Sequence, residues 1–358
     1  MRRPLLALLA AALAACASVP DTDLARRPTY VNPVLDRDFP DPAVVRAADG
    51  WFYAYATQSA LGGRMLNIQV ARSVDLARWQ HLGDALPGKP SWASAKQQFW
   101  APHVLHDAAQ EKYFMYYSAE PDEGNGKCLG VATARVPSGP FVDSGAPLLC
   151  GEGIEHIDPM AFDDPRTGKR LLYWGSGAKP IRVQELAPER TRFAPGSAPR
   201  PILFPEPHKP YASLIEGAWM IYRSGTYYLF YSGDRCCARE PRYAVMVARS
   251  SDALGPFAGF RDPHDPERHA ILAQNGFWIA PGHSSVIADD AGSDWILYHA
   301  IRAEALDAPE RARVMLLDRI VYRDGWPRIE DDQPSVSART APVLRPAQMN
   351  LPGPAILP

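Results

Sequence analysis

Several things are missing from this 358-residue chain, and each absence closes off a class of protein. No apolar run reaches the ~20 residues that a membrane-spanning helix requires; the N-terminal run Leu5 to Leu13 is too short. Charge of one sign is not in excess. The 38 Lys and Arg stand against 40 Asp and Glu, a formal −2, so the basic footprint of a nucleic-acid-binding protein is absent. Only five cysteines occur, none in a C-x-x-C pair, which argues against a structural zinc site. The phosphate-cradling G-x-x-x-x-G-K-[ST] and the zinc-protease H-E-x-x-H are lacking too. With 46% hydrophobic and 22% charged residues, disorder, collagen and a coiled coil are excluded. The surplus is in proline, 36 residues against a usual ~5%, and in aromatics, with 9 Trp, 15 Tyr and 12 Phe. Proline at this density breaks helices and suits many short strands joined by marked turns.

The first residues read as an export signal. Arg2 and Arg3 precede the apolar run, and small residues follow it. Leu13-Ala14-Ala15-Cys16 resembles a bacterial lipobox, which makes residues 1–15 a signal peptide, Cys16 the lipidated N-terminus and the mature charge −4. Ordinary cleavage around Ala15-Cys16-Ala17 is the alternative. Ala17, rather than Asp, after the cysteine favours outer-membrane sorting in bacteria of the common Gram-negative pattern. The other four cysteines allow three pairings, and an exported protein can form disulfides. Cys128–Cys150 is a credible pair. Cys236 and Cys237 either close a vicinal ring, against the tendency of neighbouring strand side chains to point apart, or remain two small unpaired residues.

A repeat organises the chain. Five segments each open on a polar residue, run through a short strand and a turn, and return as an aromatic-rich strand. The returning strands are Trp51–Tyr55, Tyr113–Ser118, Leu171–Ser176, Tyr227–Ser232 and Trp295–His299. The opening residues Asp41, His103, Asp158, Glu216 and His283 recur every 55 to 67 residues, room for four short strands and their loops. The expectation is an all-β, single-domain, five-bladed β-propeller spanning residues 32–330. A β-sandwich does not explain a period near sixty. Residues 16–31 are then a tether and 331–358 a proline-rich tail, extended over the surface or disordered.

In a propeller the innermost strands line the central channel, so the five opening residues converge there. All are ionisable, a costly arrangement unless chemistry or a cation compensates. Hydrolysis of a glycosidic bond needs one carboxylic acid to protonate the leaving oxygen and a second carboxylate to activate water or attack. Glu216, between Leu214-Ile215 and Gly217-Ala218-Trp219, has the apolar surroundings that raise an acid's pKa. Asp41, flanked by Pro40 and Pro42, suits a rigidly held base, and Asp158 is the third charge that orients and tunes the acid. Sugar rings stack on aromatic faces, and Trp100, just ahead of His103, is the first candidate platform; packing between blades is its competing role.

Phe39-Pro40-Asp41-Pro42, Trp100-Ala101-Pro102-His103, Ile157-Asp158-Pro159, Ile215-Glu216-Gly217, Gly282-His283-Ser284-Ser285 and Gly325-Trp326-Pro327 together resemble glycoside hydrolase family 43. The resemblance implies a five-bladed propeller that hydrolyses arabinan- or xylan-type polysaccharides with inversion. It makes Asp41 the general base, Glu216 the general acid and Asp158 the pKa modulator; beside these, Trp100 and His103 are the residues expected to bind substrate. It also implies that His283 helps hold a hydrated calcium ion in the channel; the chemistry itself requires no cofactor. Ser284 departs from the Gly-His-Asn-Ser of many relatives, which bears on that metal or water network. The lack of a C-terminal β-sandwich tilts the reading towards an α-L-arabinofuranosidase or endo-1,5-arabinanase. A β-xylosidase or xylanase of the same fold is the alternative. A non-catalytic, surface-anchored sugar-binding propeller is the rival from another class, opposed by the presence of all three carboxylates. A monomer that binds polysaccharide and reaches the membrane only through its lipid is expected. Arg261-Asp262-Pro263, with His264 and His269 nearby, reads as an inter-blade loop. Gly175-Ser176-Gly177 lacks the setting of a nucleophile elbow.

Overall fold

The computed structural model describes residues 28–345; the signal segment, Cys16 and the end of the proline-rich tail lie outside them. Five antiparallel sheets, each with a four-strand path, form the blades of a propeller, and no α-helix occurs among the described residues. The innermost strands are Ala43–Arg46, Phe99–Asp107, Met160–Asp163, Ile215–Arg223 and Trp278–Ala288 in blades 1 to 5. The fold is the one expected, and each blade is a single stretch of sequence.

The aromatic returning strands are the second strand of each blade. They are buried on both faces because a neighbouring blade covers each side, as in Phe52–Ala56, buried throughout. Tyr55, Phe99 and Tyr117 pack in one cluster between blades 1 and 2, and Phe114, Leu172 and Trp174 in another between blades 2 and 3. Each such side chain contributes ~1.5–3 kcal/mol by leaving water. Tyrosine suits this layer because its ring fills the gap while its hydroxyl finds a backbone acceptor. Tyr55 Oη donates to Pro137 O at 2.6 Å, and Tyr173 Oη to Ala253 O at 2.8 Å. The tight turn between the first two strands of blade 4 uses Ser224 and Gly225, both at positive φ (49° and 85°), the pairing that hairpin twist favours.

Closure of the ring draws on both ends of the described chain. Thr29–Tyr30 pairs with Arg339–Thr340. Asn32 Nδ2 donates to Leu317 O at 2.9 Å and to Ser335 Oγ at 2.8 Å, and Trp278 Nε1 to Ser335 O at 3.0 Å. The packed body therefore extends past positions 32 and 330 at both ends, into residues read from sequence as tether and tail. A two-residue ladder and scattered side-chain bonds carry no periodic signal, so sequence pattern does not mark them. Both disulfides are formed. Cys128–Cys150 joins directly opposed residues of adjacent strands in blade 2. Cys236–Cys237 sits in the turn after Thr226–Arg235 in blade 4.

Candidate active site

At or near the start of the innermost strand in blades 1 to 4, and midway along it in blade 5, the chain bends into left-handed backbone. Asp41 (φ 58°), Ala101 (44°), Asp158 (60°), Gly217 (66°) and His283 (45°) mark the five places. Such angles are uncommon outside glycine, though Asp and His tolerate them better than most. At four junctions the bend is held by the preceding blade through a side chain at or near the end of its second strand. Ala101 N donates to Thr57 Oγ1 at 2.8 Å, Asp158 N to Ser118 Oγ at 3.0 Å, and His283 N to Ser232 Oγ at 2.8 Å. Asp41 N donates to His299 Nδ1 at 3.1 Å. At the remaining junction Ser176 Oγ donates to Glu216 Oε2 at 2.6 Å, while Gly217 N donates to Asp158 Oδ2 at 3.0 Å. A ring of Thr, Ser, Ser, Ser and His thus sets the axis-facing residues. Its trace was present in the sequence, where three of the returning strands end in Ser.

The bends open a cavity of about 440 Å³, within the usual range for small-ligand sites. Asp41, Asp158, Glu216, His283 and Arg313 supply its polar lining; Trp100, Ile154, Ile157, Cys236 and Cys237 supply its apolar walls. Of the residues read from sequence, Asp41, Asp158, Glu216, His283 and Trp100 are brought together here. His103 is not. A register irregularity between Trp100 and His103 turns Trp100 to the cavity and leaves His103 in a deeper pocket of about 10 Å³ with Asp158, Trp219, His283 and Ser284. There its ring packs 5.1 Å from Trp219, its Nδ1 accepts from Ala161 N at 3.3 Å, and burial pushes its pKa down to about 3. His103 is a neutral packing residue rather than part of the open site.

The carboxylates are not alike. Burial acts to raise Asp41, but the Arg313 guanidinium (Nη1 to Oδ1 3.2 Å) and the nearby His283 and His299 imidazoles overcome it and hold the carboxyl well below the usual range. His283 is itself pushed down to about 4 by burial, so at neutral pH Arg313 is the cation that matters. Thr57 Oγ1 also donates to Asp41 Oδ2 at 2.5 Å. Asp158 is raised well above its ordinary value by burial, then by Glu216 and Asp41. Glu216 is raised by burial and by Asp41, against hydrogen bonds from Ser176 and Tyr243 that favour its ionised form. Tyr243 Oη donates to Glu216 Oε1 at 2.8 Å, and the Tyr243 ring lies parallel to His299 at 5.9 Å. Gly282 is required for that placement, since a Cβ there would lie 2.1 Å from the Tyr243 ring. Asp41, His299, Tyr243 and Glu216 therefore form one packed chain across the channel. Sequence reasoning missed Arg313, His299 and Tyr243, which no local motif announces.

A metal ion held directly by several protein side chains does not fit these residues. Among the described residues no group of three or more His, Cys, Asp or Glu is arranged to hold a metal. The deeper pocket beside His283 has space for about one water, so an ion meeting His283 through water would have to lie in the open cavity that His283 also lines. Asp262 of the Arg261-Asp262-Pro263 stretch also lies away from the cavity, buried against Arg328 Nη2 at 2.7 Å.

The sequence profile of Glycosyl hydrolases family 43 matches residues 30–327. The chain belongs to this family. It is 28% identical over 315 residues to "Probable arabinan endo-1,5-alpha-L-arabinosidase D" of Emericella nidulans, covering 80% of this chain and 79% of that one. It is also 28% identical over 309 residues to "Beta-D-galactofuranosidase xynD" of Aspergillus niger, covering 82% of each. Among solved structures it is similar to a thermostable family-43 glycoside hydrolase, with TM-score 0.72, 25% identity, and 88% of this chain and 100% of that chain covered. The family 43 chain described here is a glycosidase whose cavity carries the acidic residues such an enzyme needs. No helix among the described residues is long and apolar enough to cross a membrane.

Proposed function

We propose that this family 43 glycosidase cleaves arabinofuranosyl linkages of plant cell-wall polysaccharide, arabinan or arabinoxylan, with inversion. Asp41 is the general base that deprotonates water, Glu216 the general acid that protonates the leaving oxygen, and Asp158 the group that orients Glu216 and keeps its pKa high. One observation carries the assignment: Asp41 is held ionised while Glu216 and Asp158 are held towards protonation, the separation that acid and base roles require. The arabinan named for one relative and the furanoside named for the other support the substrate class.

The test is hydrolysis of 4-nitrophenyl α-L-arabinofuranoside, β-D-galactofuranoside and β-D-xylopyranoside, and of debranched and sugar-beet arabinan, followed by 1H NMR of the first-formed anomer. Arabinose released with inverted configuration is expected. Preference for the xyloside favours the β-xylosidase alternative, and a retained anomer overturns the roles. Binding without product, unchanged by Glu216→Gln, would mean a carbohydrate-binding propeller instead. We also infer export and anchoring through Cys16; Cys16→Ser is expected to move the protein from the membrane fraction to the soluble one.

A further inference from the structure

The cavity is polar where the carboxylates lie, and its apolar walls come from different blades. Trp100 enters from blade 2, and its ring is pinned by Lys127 Nζ, 3.7 Å from the ring centroid. Lys127 is buried and also bonds Gln98 Oε1 and Glu120 Oε2, at 3.2 and 3.4 Å. Cys236 and Cys237 enter from blade 4, which in a ring of five stands two blades away from blade 2. The two sulfurs therefore lie across the axis from Trp100. Side chains of adjacent extended residues point to opposite sides, yet both cysteines line the same cavity; the covalent bond between them holds both on one side. A disulfide has no S–H to donate, and its sulfurs are polarisable and weakly accepting, so it offers a compact apolar face. The turn that carries it is fastened at its base. Arg311 Nη1 donates to Ala238 O and Arg239 O at 3.2 and 3.1 Å, two residues before the Arg313 that pairs with Asp41. Asp234 N donates to Leu214 O at 3.0 Å.

We propose that the Cys236–Cys237 disulfide is a substrate-contacting wall of the active site, a rigid apolar face against which the C–H side of the bound sugar ring rests opposite Trp100. The inference takes its ligand class from the glycosidase reading above. Its test compares wild type with Cys236→Ser/Cys237→Ser and Cys236→Ala/Cys237→Ala. On 4-nitrophenyl α-L-arabinofuranoside the double serine variant is expected to raise KM at least ten-fold, with kcat and both pH limbs within two-fold of wild type; the double alanine variant, apolar but without the ring, falls between. Because the variants alter a turn, the bond is also reduced in folded protein carrying Cys128→Ala/Cys150→Ala, where it is the remaining disulfide. The same rise in KM, reversed on reoxidation, is expected. An unchanged KM in either arm overturns the proposal, as does a fall in kcat with displaced pH limbs, which would mean that the turn acts through the carboxylates. With arabinan as the only substrate cleaved, the same KM comparison is made on debranched arabinan; if wild type hydrolyses neither the aryl glycosides nor the arabinans, the functional reading fails and the wall is judged by binding. Ligand-observed NMR of L-arabinose and D-xylose should then show weaker contact in the double serine variant. Unchanged contact, or no binding to wild type, sinks the inference as well.

Discussion

Asp41 and Asp158 occupy the same position in blades 1 and 3. Both precede a proline, both sit at nearly the same left-handed φ, 58° and 60°, and both are buried, at 8% and 5% exposure. Their pKa values nevertheless move in opposite directions. Local backbone and burial are thus the same for the pair, and the neighbours across the axis differ. Asp41 receives Arg313 from blade 5, beside His299, whose Nδ1 accepts from its backbone amide. Asp158 receives one backbone amide, from Gly217, and faces the negative charge of Glu216 and Asp41. A repeat can supply equivalent carboxylates, but only asymmetric partners make one a base and hold the others towards protonation.

The strongest way to break the contrast is to remove one of its working members. Glu216→Gln and Asp41→Asn are each expected to lower kcat by ~10²–10⁴-fold. A 2,4-dinitrophenyl leaving group, which needs little protonation, should restore much of the rate in Glu216→Gln and none in Asp41→Asn. Steady-state rates with the two leaving groups check this.

Arg313→Gln erases the difference at its source. Asp41 must be ionised to act, so its pKa sets the acid limb of kcat/KM. Loss of the guanidinium raises that pKa, and the acid limb moves to higher pH. Asp158→Asn works on the other side. Glu216 must be protonated, so its pKa sets the alkaline limb; the two buried carboxyls ionise as a coupled pair, and once position 158 can no longer take up a charge beside it the Glu216 proton is held less tightly, so that limb moves to lower pH. The pH profiles of the two variants should therefore narrow from opposite ends. A shift of the same limb in both would remove the assigned roles.

Smaller effects sharpen the comparison. His299→Ser gives blade 5 the residue type that blades 2 to 4 use. It can keep a bond to Asp41 N but loses the stack on Tyr243, and a loss of about 1–3 kcal/mol in denaturant titration is expected, with a modest displacement of the acid limb. Ser118→Ala removes one bond of the ring and should cost about 1 kcal/mol with both limbs in place.

Much of the molecule was legible in sequence because a propeller repeats. The aromatic runs ending at Ser118, Ser176 and Ser232 marked the second strands, and the spacing of Asp41, Asp158 and Glu216 marked the residues at the axis. His103 obeyed the same spacing and was misplaced, because the left-handed bend of blade 2 falls on Ala101, which leaves His103 two residues past the axis position and out of the cavity. Arg313 and Tyr243 were invisible. Each reaches the site from the third strand of its blade or just ahead of it, where the pattern is that of ordinary blade packing.

The bonded state of Cys236 and Cys237 was also undecided until both were found facing one cavity. By itself the sequence determined the class of fold, the number of blades and which carboxylates meet at the axis, since these follow from periodicity and residue type along one chain. Tertiary structure alone decided which carboxylate keeps its charge. Ionisation depends on charges and hydrogen-bond donors within a few ångströms, and here those come from residues tens to hundreds of positions away.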